Sequence, residues 1–322
     1  MRAVIGLDTS CYTTSAAVAD ENGDIVGFQR KLLPVQSGTC GLRQSEAVFA
    51  HLKQLPELMD ALMAEAGHVT IAAVAASVKP RDAEDSYMPV FTVGKNVGRT
   101  MASVLGVPFF ETSHQEGHIL AGMIGNPPLN EPFVALHLSG GTTESLLCGG
   151  DHITALGQSL DIHAGQLVDR IGVQLDFDFP AGAALERLAM QGRAEARLPA
   201  SMAREDMDCH LSGAETQCKR WLTTGEYPRE TVAAEVFDLL ARTAARMLAA
   251  ACRETDAQQI LIVGGVASST LLREQIPQRL KKLGCQADVV FGKREYASDN
   301  AAGVARFGIH KLLESEGLPC KF

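Results

Sequence analysis

Ala3-Val4-Ile5-Gly6-Leu7 runs into Asp8-Thr9-Ser10, and Phe133-Val134-Ala135-Leu136-His137-Leu138 runs into Ser139-Gly140-Gly141-Thr142-Thr143. Each is an apolar run of strand length that ends in a small, hydroxylated turn. The chain beyond each turn reads alike. After the first, residues 14–18 and 25–30 read as strands joined through Gly23, 45–66 as a helix and 71–77 as a buried strand. The helix carries Val48, Leu52, Leu55, Leu58 and Leu62 at helical spacing. Residues 92–105 then predict a helix and 107–110 a strand. After the second turn, 144–148 and 153–156 predict strands, and 161–174, 182–191 and 231–252 helices. The stretch 260–263 predicts a strand feeding Gly264-Gly265-Val266-Ala267, 288–291 another strand, and 300–313 a closing helix. The same order written twice predicts an α/β chain of two similar lobes with duplicated mixed sheets. Residues 1–112 would form an N-terminal lobe closed by a C-terminal helix at 300–322, and 113–299 a C-terminal lobe.

Composition agrees with a globular chain too long for one simple core. It has 322 residues, 46% hydrophobic, 5% aromatic and 21% charged. The formal net charge is -9, with no Lys/Arg-rich block. A chain that grips nucleic acid unaided normally shows a basic face, so such a role would need a local patch or a basic partner. The eight cysteines are scattered without a CxxC pair, which argues against a zinc knuckle. No apolar run approaches the roughly 20 residues that span a bilayer. The expectation is a cytoplasmic protein with reduced thiols.

The turns carry candidate chemistry. Asp8-Thr9-Ser10 offers one carboxylate and hydroxyl donors to a phosphate or its metal; a strand entering an Asx or ST turn is written with the same letters. In Ser139-Gly140-Gly141 two glycines let backbone N–H groups approach an anion, although Gly-Gly also suits a hairpin. Gly264-Gly265 would let a purine or ribose pack on bare backbone. Asp169 is placed either to hold a ribose hydroxyl or to pair with Arg170.

His114-Gln115-Glu116-Gly117-His118 puts two imidazoles at i and i+4 on one helical face, after Ser113, a good helix cap. Together they suit one cation such as iron, zinc, manganese or nickel. Glu116 points roughly 160–200° round the helix from both. A third ligand is needed, and Asp299 in Ser298-Asp299-Asn300 is a candidate whose other reading is a helix cap. The motif lacks the HExxH order that sets a general-base Glu beside zinc, so it does not read as a peptidase.

In combination these motifs resemble the TsaD/Kae-type (Gcp, O-sialoglycoprotein endopeptidase-like) family, within the actin/hexokinase-like ATPase (ASKHA) superfamily. The resemblance runs over nearly the whole chain in motif order, from GLDTSC through HQEGH, SGGTT, LSG and GGVAS to SDNAAGVA. It implies transfer of a threonylcarbamoyl group from its adenylate to N6 of an adenine in transfer RNA. It implies His114, His118 and Asp299 as ligands of one divalent metal, iron or zinc. It further implies His137, Leu138, Ser139, Gly140 and Gly141 at the adenylate phosphate, with Asp169 and Gly182 as further nucleotide contacts. With Asp8, Thr9, Ser10, Gly264, Gly265 and Ser269, these residues make up the expected site for ATP or an acyl-adenylate. The implied partners are transfer RNA through a partner complex, and a small related subunit or a second copy of the chain; no membrane is expected.

The chain also departs from the family pattern. The usual S-C-D-E-T is Ser10-Cys11-Tyr12-Thr13-Thr14 here, so two carboxylates are missing. The loop His of SGGHT is Thr142, the Glu of AGE is Gln166, and the Asn after GGV is Ser269. The glycine loop after the fourth strand is replaced by Lys79-Pro80-Arg81-Asp82-Ala83-Glu84-Asp85-Ser86-Tyr87. The alternative expectation is therefore a divergent paralogue. It would bind nucleotide as a scaffold, or pass a carbamoyl or acyl group to another acceptor.

Overall fold

A computed structural model describes residues 1–10, 12–34, 42–83, 85–150, 152–297 and 301–319. The chain forms two compact units. The first takes its elements from residues up to Pro128 and again from Glu295 onward; the second takes them from Leu129–Arg294. The sequence places this boundary earlier, after residue 112, and predicts a closing helix at 300–322. Residues 300 and 320–322 lie outside the described residues.

The first unit holds a five-stranded sheet in the order β3-β2-β1-β4-β5, built from β1 (Arg2–Thr9), β2 (Thr13–Asp20), β3 (Ile25–Leu32), β4 (Thr70–Lys79) and β5 (Phe109–Ser113). The β1–β2 and β2–β3 pairs are antiparallel, and β1–β4 and β4–β5 are parallel. Buried residues run almost unbroken along β1 and β2, as they must when both faces are covered. On one face Ala3, Ile5 and Leu7 meet Leu58 and Leu62 of α1 (Gln44–Ala66) and Ala102 of α2 (Phe91–Leu105). The other face is closed by α9 (Ala301–Ser315). That contact is close because small residues meet: a Cβ on Gly6 would lie 2.4 Å from Ala301 O, and one on Gly308 2.5 Å from Val4 Cγ1. The same helix meets α3 (His114–Met123) so tightly that a Cβ on Gly303 would overlap the Gly117 carbonyl oxygen.

The second unit repeats the plan. Its sheet, β12-β11-β6-β7-β8, uses β6 (Phe133–Leu138), β7 (Thr143–Gly149), β8 (His152–Gln158), β11 (Gln259–Val263) and β12 (Asp288–Phe291). Here β6 stands where β1 stands: antiparallel to β7, parallel to β11. The core gathers α4 (Ala164–Gln174), α5 (Gly182–Ala189), α6 (Ser212–Thr224), α8 (Thr270–Lys282) and α7 (Arg229–Thr255). The alanine-rich sequence of α7 lets neighbours pack on almost its whole circumference. A short ribbon of β9 (Ser201–Ala203) and β10 (Asp208–His210) completes the unit. Two helices here, α6 and α8, are not apparent from sequence. The first buries only Ala214, Glu215, Cys218 and Trp221, and the second is polar with Pro277 inside it. Among the described residues no helix is long and apolar enough to cross a membrane.

Candidate functional site

In the first unit the turn after β1 is occupied by its own neighbours. Thr9 Oγ1 donates to Val90 O (2.9 Å) and accepts from Gly94 N (3.0 Å), tying the turn to the start of α2. Ser10 O lies 2.8 Å from Nε2 of His51, a fully buried residue of α1 whose Nδ1 is 2.8 Å from Thr14 Oγ1. Burial lowers the His51 pKa, against the Ser10 carbonyl and the Asp8 charge, which raise it. Asp8 is 1% exposed and its Oδ2 lies 2.7 Å from His114 Nδ1.

His114 opens α3, capped by Ser113, whose hydroxyl accepts from Glu116 N. Its ring lies 4.7 Å from that of His118 and 5.6 Å from Phe91, centroid to centroid. The i,i+4 spacing therefore does bring both imidazoles together, with Asp8 behind the first. Glu116 faces elsewhere. It accepts from the Thr112 hydroxyl, and burial pushes its carboxyl up, against that bond. Asp299 lies outside the described residues. Among the described residues no group of three or more His, Cys, Asp or Glu is arranged to hold a metal ion. The donor set nonetheless fits a cation in part. Two adjacent imidazoles suit a divalent transition metal, and Asp8 Oδ1 is buried without a hydrogen-bond partner, an arrangement that nearby positive charge would relieve.

In the second unit the corresponding turn is bare. Ser139 N donates to Thr142 O (2.8 Å), which closes it, and Gly165 N donates to Ser139 O (3.0 Å), which docks it on α4. A Cβ on Gly165 would lie 2.6 Å from Gly140 Cα, so only glycine lets the helix start approach this closely. Above Gly140, Gly141, Gly213 and Gly265, by contrast, a Cβ would meet nothing within 4 Å. These backbones offer an open surface beside the N-terminus of an 11-residue helix, a setting that favours anions. Gly264 has φ +100° and its Cβ would lie 2.2 Å from Leu138 O and 3.0 Å from His137 Cδ2. The third glycine turn thus sits against the end of β6, with His137 and Leu138 buried beneath it.

The remaining expected residues are engaged in holding this surface together. Asp169 Oδ1 accepts from Ala181 N (2.8 Å) at the start of α5, where Gly182 is the first residue. Burial pushes the Asp169 carboxyl up, against the N–H groups of Ala181 and Gly182. The Ser269 hydroxyl donates to Glu186 Oε1 (2.6 Å) and accepts from Leu272 N (3.2 Å), capping α8 and linking it to α5.

Several supporting contacts are not written in the sequence, even where the residue itself stands in a motif. Asp161 accepts from the N–H of Leu211 (2.8 Å) and of Ile162 (2.7 Å), and from the N–H and hydroxyl of Ser212 (3.2 and 2.5 Å). Burial works against its charge, but these bonds hold its pKa down at about 2. Arg273 donates to Ala267 O and Gly292 O, clipping the third turn to the end of β12. Gln166 Oε1 accepts from His163 N (3.0 Å), so this side chain caps its own helix.

Comparison with known proteins identifies the family and the fold. The family model for TsaD, tRNA N6-adenosine threonylcarbamoyltransferase, matches residues 35–306. A curated tRNA N6-adenosine threonylcarbamoyltransferase of Thermotoga neapolitana is 31% identical over 317 residues, covering 96% of this chain and 94% of that protein. Among solved structures, the activator of 2-hydroxyisocaproyl-CoA dehydratase from Clostridium difficile with bound ADPNP is similar at a TM-score of 0.58 and 14% identity, over 98% of this chain and 97% of that one. A ROK family glucokinase from Streptomyces griseus in complex with glucose and AMPPNP is similar at 0.54 and 14%, over 95% and 98%. These structural likenesses establish the two-lobed, ASKHA-type α/β fold and nothing finer.

Proposed function

The chain belongs to the TsaD family, tRNA N6-adenosine threonylcarbamoyltransferase, and from that premise we propose a metal-dependent transferase. It moves a threonylcarbamoyl group from its adenylate to N6 of an adenine in transfer RNA. The observation that carries this reading is the pairing of His114 and His118 on one face of α3, within the span that the family model matches and backed by the Asp8 carboxylate.

Each part of the chain then has a task. The open backbones of Gly140 and Gly141, with the α4 N-terminus, receive the adenylate phosphate. Gly265 admits the nucleoside against bare backbone, and Asp169 and Ser269 keep Gly182 and α8 in place around it. His114 and His118, with Asp299, hold one divalent cation, iron or zinc. Bound there, the cation would supply Lewis acidity for the carbamoyl carbonyl. Orientation of the two substrates provides the rest of the rate. The net charge of -9 makes a basic partner complex the means of holding transfer RNA, alongside a small related subunit or a second copy of the chain, in the cytoplasm.

Purified protein incubated with threonylcarbamoyl-adenylate, transfer RNA and the family's partner proteins should form the modified adenosine, read by mass spectrometry of digested nucleosides. No product, where a standard family member gives product, would remove this reading. A second reading then takes over: a nucleotide-binding paralogue that acts as scaffold or serves another acceptor. One observation favours it. Gln166, at a position the family fills with Glu, commits its side-chain oxygen to capping α4 rather than to a substrate. Tight adenylate binding without turnover is its expected signature.

A further inference from the structure

Asp8 has a chemical peculiarity that the family match does not explain. It is 1% exposed, on a central strand paired on both sides, yet only one of its carboxylate oxygens is hydrogen bonded. A buried carboxylate normally gathers several donors, because an ion removed from water is otherwise strongly disfavoured. Asp161, in the second unit, gathers five although it is only partly buried. Asp8 directs its one bond to Nδ1 of His114, at 2.7 Å. A carboxylate only accepts, so Nδ1 must carry the hydrogen, and a neutral imidazole then carries its lone pair on Nε2.

We propose that Asp8 is a positioning residue for His114: through Nδ1 it fixes the ring's tautomer and orientation, so that Nε2 is presented as a metal ligand beside His118. The inference rests on the metal-site reading above. A carboxylate behind a ligating histidine is a general device for fixing the tautomer and raising ligand basicity. The surroundings suit it. Asp8 is held rigidly, its neighbour Thr9 is tied to α2 by two hydrogen bonds, and the His114 ring is bracketed by Phe91 at 5.6 Å and His118 at 4.7 Å. Orientation is therefore set by packing on two sides and by one directional bond on a third. The unpartnered Oδ1 is accounted for as well: a cation nearby compensates the charge electrostatically, with no need for a second donor.

Two readouts test this, one of them independent of metal. In metal-free protein labelled with 15N-histidine, long-range 1H–15N spectra should show His114 with hydrogen on Nδ1 in the wild type. Asp8→Ala should release that preference, and the isosteric Asp8→Asn, whose amide can donate to Nδ1, should move hydrogen to Nε2. Zinc ion added to the same proteins should bind about 10–100-fold more weakly to both variants than to wild type. An unchanged His114 tautomer in Asp8→Asn, or zinc affinity equal to wild type, would overturn the proposal. If wild type itself binds no zinc while its tautomer responds to Asp8 as stated, the metal-site reading fails and the positioning by Asp8 stands. Asp8→Asn preserves volume, so the test survives even where Asp8→Ala does not fold.

Discussion

The strands β1 and β6 hold the same place in two sheets of the same topology, yet the turns they lead into are opposite in character. Asp8, Thr9 and Ser10 are engaged by α3, by the start of α2 and by α1 in turn, through a carboxylate oxygen, a hydroxyl and a backbone carbonyl. Gly140 and Gly141 present uncovered backbone. The two sheets share a scaffold while their two chemical ends differ: one is a side-chain site suited to a cation, the other a main-chain site suited to an anion. Topology therefore does not tell which end does what. The side chains standing over each turn do.

Four substitutions should break or sharpen that contrast. The largest effect is expected from Gly264→Ala. Its Cβ would meet Leu138 O at 2.2 Å in a left-handed backbone, so urea unfolding should show a loss of about 3 kcal/mol or more. A loss below about 1 kcal/mol would mean that the third turn is not held against β6.

His51→Ala removes the buried brace of the first turn and should lose about 2–3 kcal/mol. It also carries a pH signature. Burial lowers the His51 pKa, so the unfolded chain takes up a proton below about 6.5 while the folded protein does not. Wild-type stability should be full above that pH and decline as pH falls from there toward the lowered value. Unfolding free energies measured from pH 7 to 5 should decline less steeply in the variant, and equal slopes would refute the assignment.

Asp161→Asn should lose about 1 kcal/mol, because this partly solvated carboxylate binds the loop before α4 to the start of α6. In the wild type that contribution is present above the ordinary Asp value near 3.9 and vanishes as pH falls through about 2. Denaturant midpoints at pH 5 and pH 2.5 should therefore converge between variant and wild type. The smallest stability effect belongs to Gly140→Ala, under about 0.5 kcal/mol, since its Cβ enters open space. Adenylate affinity, measured by calorimetry, should nonetheless fall about tenfold or more; unchanged affinity would show that the bare turn is not where phosphate sits.

The sequence carried the succession of strands and most helices along the chain, the three glycine or hydroxyl turns and the histidine pair, because each is a local pattern. Apolar runs of strand length, Gly-Gly after a strand and i,i+4 spacing are all written within a few residues. Long-range partners are not. Nothing near His51 announces that its ring reaches Ser10, and nothing near Asp161 announces Ser212, 51 positions away. Asp169 is an intermediate case. Its place on the helix after Gly165 was legible, but the backbone N–H of Ala181 that it accepts from is set by how α4 and α5 pack. The Asp8–His114 bond joins residues 106 positions apart, so the two motifs were each visible while their contact was not.

The glycine-lined seat of α9 bears on how the protein comes into being. Chain synthesis proceeds from the N-terminus, and domains generally fold as they emerge. Yet, among the described residues, β1, β2 and β4 bury one face of their sheet mainly under residues 301–315. The second unit has all its elements once Arg294 is made, whereas the unit begun first must keep an apolar sheet face waiting until α9 leaves the ribosome. The half of the molecule that is translated earliest is the half that finishes last, and a chain stopped short of residue 301 would expose that face to aggregation.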